Sequence, residues 1–254
     1  MIIDTHSHIY LPEFSDDLDQ MLKRAENEVI KLILMPAIDK ETHLGMLDVE
    51  NRYAEKCLSM MGLHPCSVKE GYKQELKIVQ EYYEKRRFVA VGETGLDFYW
   101  DRTFTKEQYE SFQTQIELAK QFDIPVVIHS RNSIDECIKV IRENQQGNLK
   151  GVFHCFSGNE KQAKEIIDLG FYLGIGGVVT FKNSGLDQVM VDIDMKKIVL
   201  ETDAPYLAPV PFRGKRNECG YLKYVVEKLA KIKKVAKEEV ANITTRNAKE
   251  LFNI

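Results

Sequence analysis

PVVIH (residues 125–129) and GVFHC (residues 151–155) are the stretches of sequence that decide the fold. Each is a continuous apolar run of strand length with a histidine where the apolar residues stop. Strands that are apolar on both faces are typical of a parallel sheet that helices cover on both sides. Ser133 and Glu136 form a capping-box pattern, which predicts that a helix begins between the two runs. The pair therefore predicts a strand–helix–strand unit.

Further apolar runs bring the total to eight, and the others are MIID (1–4), KLILM (31–35), SMMG (59–62), FVAVG (88–92), FYLGI (171–175) and KIVLE (197–201). Helical patterns lie between them, for example at 15–29, 42–57 and 72–86, and Thr105 with Gln108 predicts a second capping box. The basic segment KLAKIKKVAKEEV (228–240) is interpreted as an outer helix with solvated lysines. Eight such units in 254 residues predict one α/β domain over residues 1–254, a closed (β/α)8 TIM barrel. An open doubly wound sheet is the alternative, although no GxGxxG motif follows the first run.

Composition and charge narrow the class of protein. Hydrophobic residues make up 44% of the chain and charged residues 29%, which is ordinary for a globular protein with a sizeable core. The net charge of −4 does not indicate nucleic-acid binding. It does not exclude such binding either, because bound divalent cations would offset the charge of several carboxylates. The five cysteines are widely spaced and predict reduced thiols, and no apolar run is long enough to span a bilayer. We expect a cytoplasmic protein with no membrane association and no obligate protein partner.

Residues able to ligate a metal or move a proton stand at or near the ends of six of the eight runs. In a barrel, the carboxyl ends of all strands meet at one mouth, so side chains that are scattered along the chain come together there. A single strand-end histidine is more often structural than a ligand, but this whole set favours a metal site. The residues are His6 and His8 on the first strand, His64 on the third, Glu93 on the fourth, His129 on the fifth, His154 on the sixth and Asp203 on the eighth.

The spacing of these residues indicates how they would act. His6 and His8 are two apart on an extended segment, so both imidazoles project to one face and can bind one cation. Asp4 shares their parity and is predicted to accept a hydrogen bond from an imidazole N–H. Glu201 shares the parity of Asp203 and is predicted to orient a ligand in the same manner.

Two carboxylates are expected to carry the chemistry. Glu93, flanked by glycines in GETGLD, can approach cations from two sides and bridge a pair of them, and the alternative is a glutamate that caps the next helix. Asp203 can ligate a cation and accept the proton of the water that the cation activates. Histidine nitrogens with carboxylate oxygens suit zinc, manganese, nickel or iron, and a carboxylate-rich site also admits magnesium. The residues thus predict a metal-dependent hydrolase.

Seven segments of the chain resemble, in order, the TatD family of metal-dependent deoxyribonucleases, which have amidohydrolase-type barrels. They are DTHSHIYL (4–11), GLHP (62–65), VGETGLDFYW (91–100), PVVIHSR (125–131), FHCFSG (153–158), LETDAPYLAP (200–209) and PFRGKRN (211–217). The resemblance implies two divalent metal ions, one held by His6, His8, Glu93 and Asp203 and the other by Glu93, His129 and His154. It also implies that Asp203 is the general base and that His64 is a catalytic histidine facing the substrate. Cys219 departs from the family pattern, which usually has proline at this place.

The resemblance further implies the reaction, which is hydrolysis of phosphodiesters in single-stranded DNA by a 3′-to-5′ exonuclease, with RNA as a further substrate. Arg213, Arg131, Tyr99 and Trp100 are predicted to contact the substrate, because cations beside aromatic rings suit the phosphates and bases of a single strand. Other cations predicted on the same face are Arg102, Lys106, Lys182, Lys215 and Arg216. Two alternatives stay open. One is hydrolysis of another ester or amide, such as an aminoacyl-tRNA ester or a lactone, and the other is a non-catalytic metal-binding scaffold.

Overall fold

Eight strands alternate with α-helices along the chain, and two helices follow the last strand, in the computed structural model, which describes residues 1–254. The strands are β1 (Ile2–Asp4), β2 (Ile30–Pro36), β3 (Cys57–Met60), β4 (Val91–Asp97), β5 (Val126–Arg131), β6 (Gly151–Phe153), β7 (Tyr172–Ile175) and β8 (Ile198–Leu200). The helices are α1 (Leu18–Asn27), α2 (Lys40–Arg52), α3 (Tyr72–Lys85), α4 (Thr105–Phe122), α5 (Ile134–Asn144), α6 (Glu160–Asp168), α7 (Leu186–Asp192), α8 (Leu222–Lys233) and α9 (Lys237–Phe252). None of these helices has both the length and the hydropathy needed to span a bilayer.

The strands close into a barrel. β1 to β3 pair in chain order, as do β4 to β8, and every pairing is parallel. A parallel bridge between Met61 and Val91 joins the two groups on one side. A second bridge, between Ser7 and Ala204, joins the segments that follow β1 and β8. The predicted (β/α)8 TIM barrel is therefore confirmed, and the open doubly wound sheet is wrong.

One layer of apolar side chains fills the inside of the barrel. Each strand, or the residue directly before it, contributes one member of the layer: Ile3, Leu34, Met60, Ala90, Val127, Val152, Tyr172 and Val199. Leu251 and Phe252 at the end of α9 pack against the same layer. Burial of such a side chain contributes about 1.5–3 kcal/mol. The last helix thus closes one end of the barrel, and the carboxyl ends of the strands form the open end.

The fourth strand lies later in the chain than the apolar run 88–92 predicts. β4 spans Val91–Asp97 and takes in the GETGLD segment. Gly95 has a φ of +132°, and a Cβ at this position would lie 2.1 Å from the carbonyl oxygen of His129. Glycine therefore lets β4 approach β5 closely instead of marking a turn. As a consequence, Glu93 lies within a strand and not at its end.

The capping boxes predicted at Thr105 and Ser133 are wrong, because α4 and α5 begin without a side-chain cap. Gln108 Oε1 instead accepts the backbone N–H of Asp97 at 2.9 Å. Ser133 Oγ donates to the carbonyl of Leu96 at 2.6 Å. Both side chains make tertiary hydrogen bonds that fix the end of β4.

The basic segment 228–240 forms parts of two helices and not one outer helix. α8 ends at Lys233 and α9 begins at Lys237. Lys234, between them, has a φ of +55°, and its N–H donates to the carbonyl of Ala230. This left-handed residue ends α8 and lets the chain turn so that α9 reaches the closed end of the barrel.

Candidate metal centre

Glu93 is buried at the open end of the barrel, and its two carboxylate oxygens face different imidazoles. Oε2 lies 3.1 Å from Nε2 of His6 and 3.6 Å from Nε2 of His8. Oε1 lies 2.9 Å from Nδ1 of His129 and 3.1 Å from Nε2 of His154. The carboxylate thus joins two groups of donor atoms, as a bridging ligand would.

The first group of donor atoms is completed by Asp203, from the loop after β8. Asp203 Oδ1 lies 3.8 Å from Nε2 of His6 and 3.7 Å from Nε2 of His8, and these two nitrogens are 3.3 Å apart. Around a four-coordinate cation with bonds of about 2.1 Å, ligand atoms lie roughly 3.4 Å from one another. The separations in the structure therefore fit a cation among these atoms.

The second group of donor atoms surrounds Glu93 Oε1. His129 and His154 form this group, and His64 lies beside it, with Nε2 3.4 Å from this oxygen and 3.3 Å from Nδ1 of His129. Three sets of residues have donor atoms that all lie within 4.8 Å of one another: His6, His8 and Asp203; His6, Glu93 and His154; and His64, Glu93 and His129. The structure thus brings together all six predicted ligands, together with His64.

Hydrogen bonds to the far side of two imidazoles determine which nitrogen is free. The Tyr10 hydroxyl donates to the carbonyl of Pro36 at 2.6 Å, so at 2.9 Å it accepts from Nδ1–H of His8. Nε2 of His8 is then unprotonated and faces the first group. His129 Nε2 lies 2.8 Å from Oδ2 of Asp97, which leaves Nδ1 of His129 for the second group. These contacts are typical of metal-ligating histidines, whose other nitrogen donates to a fixed acceptor.

The two carboxylates predicted to orient ligands differ in what they contact. Glu201 Oε1 lies 3.3 Å from Nδ1 of His154, which is the place predicted for it. Asp4 does not accept from an imidazole N–H as predicted. Its two oxygens accept the backbone N–H and the hydroxyl of Thr202 at 2.9 and 2.6 Å. β1 ends at Asp4, and the carboxylate points to the segment that follows β8. It therefore holds the residues that lead to Asp203.

His64 has the opposite tautomer to the candidate ligands. Its Nδ1 accepts the backbone N–H of Cys66 at 3.0 Å, so in the neutral imidazole the proton is on Nε2. The side chain is 14% exposed and lines the cavity above the cluster. His64 is thus suited to donate a hydrogen bond into the cavity, in agreement with a histidine that faces the substrate.

Burial and charge shift the pKa values in this cluster. Burial raises the pKa of Asp203 to about 7, with the negative charges of Glu93 and Glu201 adding to the shift and the charge of His154 opposing it. Burial lowers the pKa of His6 to about 4, and the charge of His154 lowers it further. Burial disfavours the charged form of Glu93, but His154 and the other imidazoles hold the pKa of this carboxyl well below its usual range. The negative charges of Glu93, Asp203 and Glu201 lie close together, so this cluster attracts cations.

The predicted substrate contacts lie around a cavity of about 1010 Å³ above the cluster. Arg131, Arg213 and Trp100 line this cavity together with Asp203 and the imidazoles. Tyr99 lies beside it, with its ring centroid 3.8 Å from the Arg131 guanidinium.

Of the other cations predicted on this face, only Lys215 lines the cavity. Arg216 is in a different place from the one predicted, because its guanidinium reaches back to the start of α1 and pairs with Asp17 at 2.7 Å. Arg102 lies over the ring of Phe98, 4.9 Å from its centroid.

Several residues that position the cluster have no signal in the sequence pattern. Gln115 Nε2 donates to the Leu63 carbonyl at 3.0 Å and to Thr94 Oγ1 at 2.8 Å, so it fixes the neighbours of His64 and Glu93. Tyr10, whose hydroxyl contacts His8, is a second such residue. Asp97 could have been found from its parity with Glu93 in GETGLD, whereas Gln115 reaches the site from the middle of α4.

The turn that carries Asp203 is held by Asn217. Asp203 has a φ of +58°, and Asn217 Nδ2 donates to the carbonyls of Thr202 and Tyr206, on either side of it, at 2.7 Å each. Cys219, which stands where the family usually has proline, is buried with Sγ 3.4 Å from Ser7 Oγ. The cysteine is therefore accommodated in the core, and the hydrogen bonds of Asn217 are intact.

A (β/α)8 barrel with imidazoles and carboxylates gathered around one bridging glutamate at the carboxyl ends of its strands defines a metal-dependent hydrolase. Comparison with known proteins gives the same class. The chain is 36% identical to the uncharacterized metal-dependent hydrolase YabD of Bacillus subtilis, over 100% of both chains. It is 32% identical to the uncharacterized metal-dependent hydrolase YcfH of Escherichia coli, over 100% of this chain and 96% of that one.

The family follows from two further matches. Residues 3–253 match the family model described as TatD related DNase. The crystal structure of YjjV, a TatD homologue from Escherichia coli, superposes with a TM-score of 0.94 at 31% identity and covers 100% of this chain and 98% of that one. The protein belongs to the TatD family.

Proposed function

We propose that this hydrolase is a nuclease that uses two divalent cations, held on either side of Glu93, to remove nucleotides from the 3′ end of single-stranded DNA, with RNA as a further substrate. The observation that carries the proposal is the pairing of the donor cluster with a cationic cavity. Arg131, Arg213 and Lys215 line the space directly above the cluster. Guanidinium and ammonium groups in this place suit the phosphates of a nucleic-acid backbone.

The depth of the cluster favours a chain end as the substrate. Glu93 and His6 are buried, and Asp203 and His129 expose only 15% of their side chains. A phosphodiester in the middle of a duplex could not descend to this level, whereas the end of a single strand can enter the cavity. The 3′-to-5′ direction is what the resemblance to the TatD family implies.

The side chains divide the work of hydrolysis among them. When bound, the two cations lower the pKa of the attacking water and offset negative charge on the phosphate oxygens. Asp203 lines the cavity and exposes 15% of its side chain, whereas Glu93 exposes 2%, so Asp203 is placed to accept the proton of the water. Nε2–H of His64 donates to a phosphate oxygen. Arg213 and Arg131 bind the phosphates that follow in the strand.

The test uses protein freed of metal with a chelator and then reloaded in turn with zinc, manganese, magnesium or nickel. Its substrates are a single-stranded DNA labelled at its 5′ end, the same strand labelled at its 3′ end, the matching RNA and duplex, an aminoacyl-tRNA and a simple lactone. We expect metal-dependent shortening of the 5′-labelled strand in single-nucleotide steps and early release of the 3′ label. Turnover of the lactone or of the aminoacyl ester without any shortening of the nucleic acids would show that the protein is an ester hydrolase and not a nuclease.

Asp203→Asn tests the assignment of the base. Asparagine has nearly the same shape as aspartate but cannot accept the proton of the water, so we expect kcat to fall by about 10²–10⁴-fold. Asp192→Asn is the matched control, since Asp192 is exposed at the end of α7 and lies outside the cavity. Activity that survives Asp203→Asn would refute this role, and activity that persists in excess chelator would refute the dependence on metal. Metal binding without turnover of any substrate would leave the scaffold alternative.

A further inference from the structure

Asp97 ends β4, and its buried carboxylate makes hydrogen bonds in two directions. Oδ2 lies 2.8 Å from Nε2 of His129, whose other nitrogen faces Glu93 at 2.9 Å. Oδ1 accepts the backbone N–H groups of Tyr99 and Trp100 at 2.9 and 3.1 Å. One carboxylate therefore holds both a candidate metal ligand and the turn that carries two aromatic residues.

The connection between these two sides is rigid. The N–H of Asp97 donates to the buried Gln108 Oε1 at 2.9 Å, and the N–H of Phe98 donates to the carbonyl of Arg131 at 2.9 Å. The backbone of Asp97 and Phe98 is thus tied to α4 and to β5, whereas the N–H groups of Tyr99 and Trp100 are held by the Asp97 carboxylate. A change in the direction of the Asp97 carboxylate is therefore passed on to the N–H groups of Tyr99 and Trp100 with little slack.

The aromatic residues on this turn are unusually open for their size. Trp100 is 68% exposed and Tyr99 is 52% exposed, with their rings edge to face at 4.9 Å. The guanidinium of Arg131 lies 5.2 Å from the Trp100 ring centroid, and both residues line the cavity above the cluster. An open indole beside a guanidinium suits a nucleobase, which stacks on the ring while the cation binds its phosphate.

We propose that Asp97 couples cation binding at His129 to the position of Trp100, on which a base of the single strand stacks. The identity of this ligand rests on the proposed function, whereas the coupling does not. His129 can offer Nδ1 to a cation only while its proton is on Nε2, and Asp97 is the acceptor that keeps it there. When Nδ1 is engaged, Nε2–H becomes a stronger donor and draws the carboxylate towards His129. The N–H groups of the turn follow the carboxylate, and Trp100 moves with them.

Trp100 is the single tryptophan of the chain, so tryptophan emission reports on this position alone. We expect Zn²⁺, added to metal-free protein, to change the emission of Trp100 in a saturable manner. Asp97→Asn separates the two functions of the carboxylate, because the amide oxygen still accepts from the turn while the amide N–H₂ faces Nε2 of His129 and reverses its tautomer. We expect the emission of the metal-free variant to match that of the unsubstituted protein. The Zn²⁺-induced change should be lost, and the Zn²⁺ affinity measured by calorimetry should fall by about 10–100-fold.

Two further variants keep this result interpretable. His129→Ala interrupts the same chain of contacts from the other side, and it should also abolish the Zn²⁺-induced change. Asp101→Asn is the matched control, because Asp101 is exposed in the same loop and accepts the Thr103 N–H at 2.8 Å. It should respond to Zn²⁺ as the unsubstituted protein does. A Zn²⁺ response of Asp97→Asn equal to that of Asp101→Asn would overturn the coupling, whatever the protein cleaves.

The stacking partner is tested separately, with zinc-loaded Asp203→Asn protein and a short single-stranded oligothymidine. We expect the oligonucleotide to quench the emission of Trp100 as it binds. If the unsubstituted protein shortens the oligonucleotide but Trp100 emission does not respond to it, the stacking role is wrong and the nuclease stands. If the oligonucleotide is neither bound nor cut while Zn²⁺ still acts through Asp97, the coupling stands and the proposed substrate is wrong.

Discussion

Tyr10→Phe is the substitution that most directly tests the assignment of His8 as a metal ligand. The Tyr10 hydroxyl donates to the Pro36 carbonyl at 2.6 Å and accepts from Nδ1–H of His8 at 2.9 Å. Phenylalanine keeps the ring and removes only this atom. His8 is then free to place its proton on Nε2, the nitrogen that faces His6 and Glu93, and in that tautomer it cannot bind a cation.

The size of the effect follows from what the hydroxyl does. Loss of a partner that orients a metal-ligating histidine typically weakens metal binding by about 10–100-fold, or about 1.4–2.7 kcal/mol of binding free energy. Burial lowers the pKa of His8 well below its usual range, so the imidazole stays neutral in the variant and the choice between its tautomers decides the affinity. The loss acts on binding of the cation and not on the reaction itself. We therefore expect kcat at saturating metal to stay close to that of the unsubstituted protein.

Calorimetric titration of metal-free protein with Zn²⁺ measures the affinity, and a metal-dependence series of the hydrolytic rate measures kcat at saturation. Tyr53→Phe is the matched control, since it removes a hydroxyl that donates to Asp19 at the surface, 2.5 Å away and far from the cluster. Unchanged affinity in Tyr10→Phe would show that the hydroxyl does not set the tautomer of His8. A fall in kcat that no excess of metal restores would show that Tyr10 acts on the reaction and not only on binding of the cation.

Two predictions concern stability and are measured by urea denaturation. Gly95→Ala should destabilise the protein by at least ~3 kcal/mol, because its Cβ would lie 2.1 Å from the carbonyl oxygen of His129. Gly71 also has a positive φ but no atom near the place of a Cβ, so Gly71→Ala should cost only about 1 kcal/mol. Equal losses of stability in the two variants would refute the close packing of β4 on β5. Burial lowers the pKa of His43 below its ordinary value of 6.5, so protonation favours the unfolded chain, and the stability due to its neutral form is full above pH 6.5 and is lost as the pH falls below that value. His43→Phe, which keeps a ring against Tyr82, should flatten this part of the pH dependence, and an unchanged slope would contradict the assignment.

The sequence predicts the barrel and the gathering of the ligands because both depend on patterns that repeat along the chain. Apolar runs of strand length recur eight times, and the barrel places their carboxyl ends at one mouth. The limits of a strand are harder to predict. β4 begins three residues after the run at 88–92 starts and continues through Gly95. The sequence pattern does not predict this, because a glycine is a turn signal and the carbonyl of His129 that requires the glycine does not show in the pattern.

Parity in the sequence predicts the contact of one orienting carboxylate and not that of the other, although Glu201 follows the end of β8 and Asp4 lies within β1. Glu201 lies near Nδ1 of His154 as its parity with Asp203 predicts. Asp4 has the same parity as His6, but β1 ends at Asp4 and its carboxylate turns to Thr202. Asn217 and Gln115 reach the site from a loop and from a helix, so neither parity nor position at a strand end points to them. Contacts of this kind depend on the packed structure and not on a local pattern.

The division of roles among the histidines is the feature that the sequence leaves most open, because the residue type alone does not show whether a strand-end imidazole binds a cation or donates a hydrogen bond. The contact of its second nitrogen decides between these roles. His8 donates to Tyr10 and thereby frees Nε2, whereas His64 accepts from the N–H of Cys66 and thereby keeps a proton on Nε2. In both cases the deciding atom belongs to a residue two positions further along the chain. A hydroxyl that is already committed as a donor and a backbone amide thus give opposite chemistry to two imidazoles at the same mouth.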